Sequence, residues 1–525
     1  MKTHDVQKAA WRGAFSNYGR VVLRMVLGLV TFRLLYQGLD AESFGFWSLL
    51  WSVFGYGILL DFGFGSAAQK RVAEALADQD WAQLSRALST IFFFYVGVAL
   101  VIGVLGWWLA GPLVTLLGVP PDQLETYRPA ARAFFLGMAL GFPSGIFPEV
   151  LRGLQRMETA NRIAMVGLVA NAILIAVALF LKWNLVALIT VALACVLIPD
   201  LVAGWMALRS MPEVKLKPSL FSMGQLMSTS KFSLFVWAST MSHVLRNKSD
   251  QLVIGLLISL PAVALYQAAG KVSEMFGMGT KQVSDALSPA AAYLHADGRG
   301  DVLKDFFMNG LRLTVLVATP AYVCAAVHLD FLVYLLTGDA APASSTLLVG
   351  QLLLLWFYQM SFTHLVFRRM FMMCGQERRL MWQGLSEGAL NIGLSIVLTL
   401  WMGTIVGVAL GSLIPAVVLG WTILWPWAAR QVGLGKMRLF RDTCGRTILA
   451  CLPMVAVGLG VRWLSGLSYG EPQWIKSLTG LVLMLLTGGI GLWTVALNAG
   501  ERSRVLGVVR RIFSRSKVAK AGGPV

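Results

Sequence analysis

Residues 243–258, HVLRNKSDQLVIGLLI, read as the middle of a membrane-spanning helix, yet they carry Arg246, Lys248 and Asp250. A charge near the centre of a bilayer costs about 2.5–3.5 kcal/mol on insertion scales. Such a segment is tolerable only where its charged face meets other helices or a water-filled space. The stretch therefore demands companions that bury it, and the rest of the sequence has to supply them.

It does so repeatedly. The chain has 525 residues, is 57% hydrophobic and only 13% charged, with a mean hydropathy of +0.69. A soluble domain carries about twice that charged share. Apolar runs recur from end to end, each near the roughly 20 residues needed to cross about 30 Å of hydrocarbon. The reading is an all-α polytopic membrane protein, because a β-barrel would need short strands of alternating polarity. Fourteen spans are expected, at 13–36, 43–67, 87–110, 130–151, 160–181, 185–208, 228–257, 262–292, 306–328, 346–372, 380–400, 404–428, 443–465 and 475–497. After MKTHDVQKAAWRG the apolar stretch runs on to Tyr36 without a small-residue cleavage site, so it reads as a first span starting in the cytoplasm, not a signal peptide.

The net charge of +18 has a topological explanation. Alternate connections hold Lys70 and Arg71, then Arg152, Arg156 and Arg162, then Arg209, Lys215 and Lys217, and later Arg299, Lys304, Arg368, Arg369, Arg378, Arg379, Arg430, Lys436, Arg438 and Arg441. The opposite set holds little that is basic besides Arg128 and Lys182, and carries Asp40, Glu42, Asp122, Glu125, Asp330, Asp339 and Glu471. That asymmetry is the positive-inside rule and predicts two cytoplasmic termini. The basic tail RSRVLGVVRRIFSRSKVAK then reads as a segment meeting anionic lipid, not nucleic acid. Five scattered cysteines and five dispersed histidines show no metal-ligand spacing.

An offset of about 220 residues lays LDAESFGFW, from Leu39, on LPAVALYQA, from Leu260. It also lays QRMETANRIAMVGLVANAILI, from Gln155, on GQERRLMWQGLSEGALNIGLS, from Gly375, with Asn171 over Asn391. The expected organisation is two six-helix lobes, 1–209 and 210–430, then a helix pair over 431–498 and a basic cytoplasmic tail over 499–525. Each half has an even number of spans, so the halves share an orientation and a transported substrate would lie between them.

Within the spans stand Arg20, Arg24 and Arg33 in the first, Asp61 in the second, Lys231, Arg246, Lys248 and Asp250 in the seventh, and Lys271, Glu274, Lys281 and Asp285 in the eighth. At 100° per residue, Asn17, Arg20 and Arg24 share a stripe, as do His243, Arg246 and Asp250, and as do Lys271, Glu274, Met278, Lys281 and Asp285. Two readings compete. In one, Arg246–Asp250, Lys271–Glu274 and Lys281–Asp285 are neutralising pairs one turn apart. In the other, the surplus of positive charge binds an anion. Asp61, Asp250 and Glu274 are candidates for proton or sodium coupling, or for counter-charges. Gly55, Gly57, Gly63 and Gly65 should break the second helix around Asp61, Gly270, Gly277 and Gly279 the eighth, and Pro143 and Pro148 the fourth; close packing through small residues is the other reading of the glycines.

The segment YGILLDFGFGSAAQKRVAEA, from Tyr56, resembles the O-antigen and exopolysaccharide flippases, whose superfamily includes multidrug extruders and lipid II flippases. GLQRMETANRI (from Gly153), NKSDQLVIG (from Asn247) and LYQAAGKVSEM (from Leu265) resemble the same family, and the likeness covers about residues 10–430. The resemblance implies a fourteen-helix flippase of the bacterial inner membrane. Such a protein turns an undecaprenyl-pyrophosphate-linked oligosaccharide from the cytoplasmic to the periplasmic leaflet by alternating access, with no cofactor and no catalytic residue. It implies a basic cavity at Arg24, Arg246, Lys248, Lys271 and Lys281, with Arg20 beside them, and an apolar groove for the lipid tail on the last two helices. Expected partners are the polyprenyl-linked glycan, membrane lipids and other polysaccharide assembly proteins. A lipid II flippase and a cation-coupled multidrug antiporter are the alternatives on the same fold; a membrane enzyme is disfavoured by the lack of a sizeable extramembrane domain.

Overall fold

The computed structural model describes residues 3–297, 300–339, 343–464, 474–503 and 506, with the side chains of 3–15, 58, 228–236, 239, 285–290, 292–293, 296 and 373 left aside. The side chains of Lys231 and Asp285, and Arg299, Glu471 and most of the basic tail altogether, thus lie outside what is described.

The chain is almost wholly helical, with no strand among the described residues. The first ten helices are α1 (Thr3–Gly38), α2 (Ala41–Gly57), α3 (Phe64–Asp78), α4 (Trp81–Leu116), α5 (Leu124–Gly141), α6 (Ile146–Gly153), α7 (Met157–Phe180), α8 (Leu185–Arg209), α9 (Met223–Leu257) and α10 (Leu260–Ala296). There follow α11 (Gly300–Val327), α12 (Leu329–Thr337), α13 (Ser344–Met360), α14 (Val366–Met373), α15 (Glu377–Met402), α16 (Ile405–Leu419), α17 (Trp425–Val432), α18 (Lys436–Phe440), α19 (Arg446–Leu464) and α20 (Trp474–Gly491). Several of these join into longer spans through single turns of another pitch. Pro143–Gly145, a 3-10 turn, links α5 to α6, and π turns at Ser361–Leu365 and Gly420–Leu424 link α13 to α14 and α16 to α17. Entry to α4 and α8 is set locally: Asp80 accepts the Gln83 N–H at 2.9 Å and Asn184 the Ala187 N–H at 2.9 Å, each satisfying an amide the helix leaves orphaned.

Among the described residues, twelve segments are long and apolar enough to cross a membrane. Trp108, Phe180, Trp401 and Trp463 stand largely exposed on them, as suits side chains solvated by lipid. Helices α9 and α10 are not among the twelve. At 35 and 37 residues they are long enough, but they carry the charges described above in place of an uninterrupted apolar run, so fourteen spans is not the number that length and hydropathy alone support.

The chain divides into two compact units: residues 1–269, 335–338 and 377–415 form one, and residues 270–334, 339–376 and 416–525 the other. The division cuts α10 between Ala269 and Gly270 and assigns α15 to the first unit, so it follows packing and not the order of the chain. In the first unit, glycines let backbones touch. A Cβ on Gly45 would fall on the Leu260 carbonyl, one on Gly407 would stand 2.7 Å from the Leu398 carbonyl, and one on Gly167 would stand 2.6 Å from Pro199. In the second unit Cys324, Val327, Met454 and Met484 pack α11, α19 and α20 together, and a Cβ on Gly488 would stand 2.8 Å from the Met454 sulfur.

The repeat leaves a physical trace. The starts of α7 and α15, and those of α8 and α16, are both 220 residues apart. The turns that precede them each pass through a left-handed residue, Gln155 and Gly375 in one case, Lys182 and Gly403 in the other.

The second span does break at Asp61: α2 ends at Gly57, a 3-10 turn covers Ile58–Asp61, and Phe62 and Gly63 are left-handed before α3 restarts at Phe64. Only Gly63 needs its glycine for conformation. Gly55 lies against the methylenes of Lys248 and Gly57 against Met138, so those two are packing positions. The expected break in the eighth span is absent. Helix α10 is continuous, because Gly270 and Gly277 let it approach Leu353 and Phe357 of α13. Pro143 interrupts the fourth span, whereas Pro148 sits harmlessly in the first turn of α6.

Candidate functional site

In the first unit, α9 packs along α15, and the side of α9 bearing Ser242, Arg246, Ser249 and Asp250 is buried. His243, assigned by spacing to the same stripe, is instead exposed, and its carbonyl accepts the Asn247 side-chain amide at 2.7 Å. The expected Arg246–Asp250 pair does not form. Arg246 reaches across to α15 and bonds Glu387 Oε2 at 3.0 Å, with side-chain exposures of only 6% and 1%. Gln383 donates to the same oxygen at 2.8 Å. Two charges removed from solvent this completely hold together only as a pair.

Asp250 is left with neutral company. Tyr266 donates to Oδ2 at 2.5 Å, Ser412 of α16 reaches both oxygens at 3.0 and 3.1 Å, and Asn391 donates to the Ser412 hydroxyl at 2.8 Å. No basic side chain pairs with this carboxylate among the described residues. The adjacent Lys248 runs its stem along Gly55, while its carbonyl accepts the Ser52 hydroxyl at 2.7 Å, tying α9 to α2.

A second polar cluster lies where α1, α4, α6 and α8 meet the Asp61 turn. Asp61 accepts the Gly65 N–H at 3.1 Å and a hydrogen bond from Tyr95. Glu149 lies beside it across Gly65, and it pairs with Arg152 one turn on. Arg20 bonds Asn17 at 3.0 Å and is flanked by Arg152, Arg24 and Glu149; Asp200 of α8 faces Arg152 and Glu149. Beside them Asn161 of α7 donates to Ser16 at 2.9 Å. Arg24, the next basic residue on α1, is exposed, and no acid pairs with it among the described residues. Arg33 donates to the Leu335 carbonyl.

In the second unit, Lys271 and Glu274 form the expected ion pair at 2.8 Å, part-exposed on both sides. Lys281 is exposed further along the same face of α10, while the opposite face, with Val272, Ser273 and Thr280, is buried. The partner proposed for Lys281, Asp285, has a side chain outside the described residues. Away from α10, Arg462 of α19 makes a bidentate pair with Asp330, at 2.6 and 2.9 Å, and bonds the Val327 carbonyl at 2.9 Å.

The sequence reading passed over Glu149, Glu387, Asp200, Arg312 and Arg462, and placed Arg152 in a connection. All are charges within or beside apolar runs, so the rule that exposed Asp250 would have exposed them too. No group of three or more His, Cys, Asp or Glu among the described residues is arranged to hold a metal ion.

A family model described as "Polysaccharide biosynthesis protein" matches residues 10–292, a little over half of the chain. No curated protein sequence matches it. Among solved structures, "Lipid II flippase MurJ, inward closed conformation" aligns with a TM-score of 0.68 at 13% identity, over 91% of this chain and 98% of that one. The inward-facing conformation of a multidrug resistance MATE family transporter of the MOP superfamily aligns with a TM-score of 0.66 at 16% identity, over 78% and 94%. An outward-facing structure of such a MATE family transporter gives a TM-score of 0.54 at 15% identity, over 82% and 96%. At these identities the likeness is one of fold.

Proposed function

This chain belongs to the polysaccharide biosynthesis protein family, and we propose that it is a flippase for an undecaprenyl-pyrophosphate-linked oligosaccharide, an O-antigen or exopolysaccharide repeat unit. It works in the bacterial inner membrane with both termini in the cytoplasm, and α9 and α10 complete fourteen spans. The substrate crosses from the cytoplasmic to the periplasmic leaflet, handed over as the basic residues become open to each leaflet in turn. Its lipid tail stays in hydrocarbon while pyrophosphate and sugars follow a polar path, because unpaired phosphate charge in low dielectric costs many kcal/mol.

Arg24, Lys248, Lys271 and Lys281, with Arg20 and Arg246, replace water around the phosphates, the guanidinium groups offering two parallel hydrogen bonds. The observation that carries this reading is the surplus of basic side chains inside spanning helices of a polysaccharide-family chain, with Arg24 and Lys281 exposed. Asp250, solvated by hydroxyls and paired with no base, is the residue through which a proton or sodium gradient drives the cycle.

Arg24→Gln with Lys281→Gln tests the path without disturbing packing, since neither side chain is buried. In proteoliposomes with a fluorescent undecaprenyl-pyrophosphate oligosaccharide, translocation falls by at least tenfold, as expected for lost charge-assisted bonds of about 1.5–3 kcal/mol each, while the melting temperature holds. A double variant that flips at the wild-type rate rejects the assignment. Wild type that moves lipid II and not the oligosaccharide would transfer the function to peptidoglycan precursor transport.

A further inference from the structure

Arg128 was singled out by sequence as one of the few basic residues on the acidic set of connections, and the proposed transport path makes no use of it. It lies on α5, one turn before Arg132, and both line an open groove of about 840 Å³ against the end of α4. Because α1, α2 and α4 are three successive spans, this groove sits at the membrane face opposite the N-terminus.

The groove has the parts of an anion site at a lipid interface. The Arg132 guanidinium lies over the Trp107 ring, 4.5 Å from its centroid, which fixes its plane and leaves its edge to bond a ligand. The Arg132 Nε is buried without a hydrogen-bond partner. Gly111 leaves room for Arg128, whose Nε would stand 3.4 Å from a Cβ there. No acid pairs with either arginine among the described residues; Glu125, one turn before Arg128, is exposed and makes no ion pair with it. Trp108 and Leu116, which also line the groove, are 75% and 65% exposed. A ligand here meets two cations at one end and lipid-facing hydrocarbon at the other.

We propose that this groove binds the phosphate diester of an anionic phospholipid from the leaflet in which α4 ends, its acyl chains lying along Trp108 and Leu116. Neither arginine belongs to the transport path, so the site stands or falls independently of the substrate assignment.

Native mass spectrometry of the full chain, released from mixed micelles of phosphatidylglycerol and phosphatidylcholine, tests it. Wild type retains phosphatidylglycerol in preference, and Arg128→Gln with Arg132→Gln weakens retention about thirtyfold, the effect of two basic side chains at a charged membrane surface. Lys182→Gln, which removes a charge from the same membrane face, changes nothing, and inorganic phosphate or glycerol phosphate at millimolar concentration does not compete. Wild type without a preference overturns the proposal even if the double variant proves unstable. Equal retention by the double variant, or an equal loss in Lys182→Gln, also overturns it, and competition by inorganic phosphate replaces the lipid with a free anion.

Discussion

Glu387→Gln changes one atom of a side chain that is 1% exposed, and leaves Arg246, 6% exposed, without its anion. The amide keeps the shape of the carboxylate and still offers an oxygen at the position that Gln383 and Arg246 share at 2.8 and 3.0 Å. What disappears is the charge that compensates a desolvated guanidinium. Breaking a buried pair by removing one partner costs about 3–5 kcal/mol, and because the hydrogen bonds survive in weakened form, about 3 kcal/mol is expected here. The double variant Arg246→Met with Glu387→Leu removes both charges and replaces them with apolar volume. Pairs replaced in this way are often neutral or better, offset here by an orphaned Gln383 amide at about 1–3 kcal/mol. The double variant should therefore be no less stable than Glu387→Gln, and a cycle closed with the single variants Arg246→Met and Glu387→Leu should give a coupling energy of at least about 2 kcal/mol between the two sites. Reversible unfolding in mixed micelles titrated with sodium dodecyl sulfate, followed by helical circular dichroism, measures all of these. A Glu387→Gln variant within about 0.5 kcal/mol of wild type, the size of an ordinary surface change, would show that Arg246 is not paired with Glu387 in the membrane. The same energetics bear on transport: a phosphate reaching Arg246 has to compete with an anion already in place.

Asp250→Asn preserves the bonds with Tyr266 and Ser412 in outline but removes the ionisable group, so translocation in proteoliposomes should lose its response to an imposed proton or sodium gradient while the protein stays folded. A variant that responds as wild type does would move coupling elsewhere. Gly45→Ala puts a methyl group 2.6 Å from the Leu260 carbonyl carbon, where backbone cannot yield cheaply. Overpacking of this kind costs about 1–3 kcal/mol, to be read as a lowered melting temperature; an unchanged one would mean that α2 and the start of α10 are not in contact.

Much of the architecture was legible because it rests on local rules. Helix follows from apolar runs in a medium that offers backbone groups no other partner, and the break at Asp61 follows from a carboxylate beside Gly63, which accepts the left-handed conformation. The repeat was legible as a spacing of about 220 and reappears in the helix starts Met157 and Glu377. Where glycine was read as a hinge in α10, the deciding fact was the neighbour: Phe357 and Leu353 press against Gly277 and Gly270, and no local pattern says which ring will arrive there.

For the charges the division is sharper. Composition and periodicity by themselves settled that this is a helical membrane protein, that its intramembrane charges had to be compensated, and that Lys271 had an acid within reach, because those conclusions need only the cost of charge in lipid and the pitch of a helix. Which acid met Arg246 was decided by the fold alone. Asp250 is four residues away and was the obvious partner, yet Glu387, 141 positions distant, takes its place because α15 lies along the buried side of α9. Partner choice among buried charges depends on which helices touch, and that contact is a property of packing across the whole unit, not of any stretch of chain.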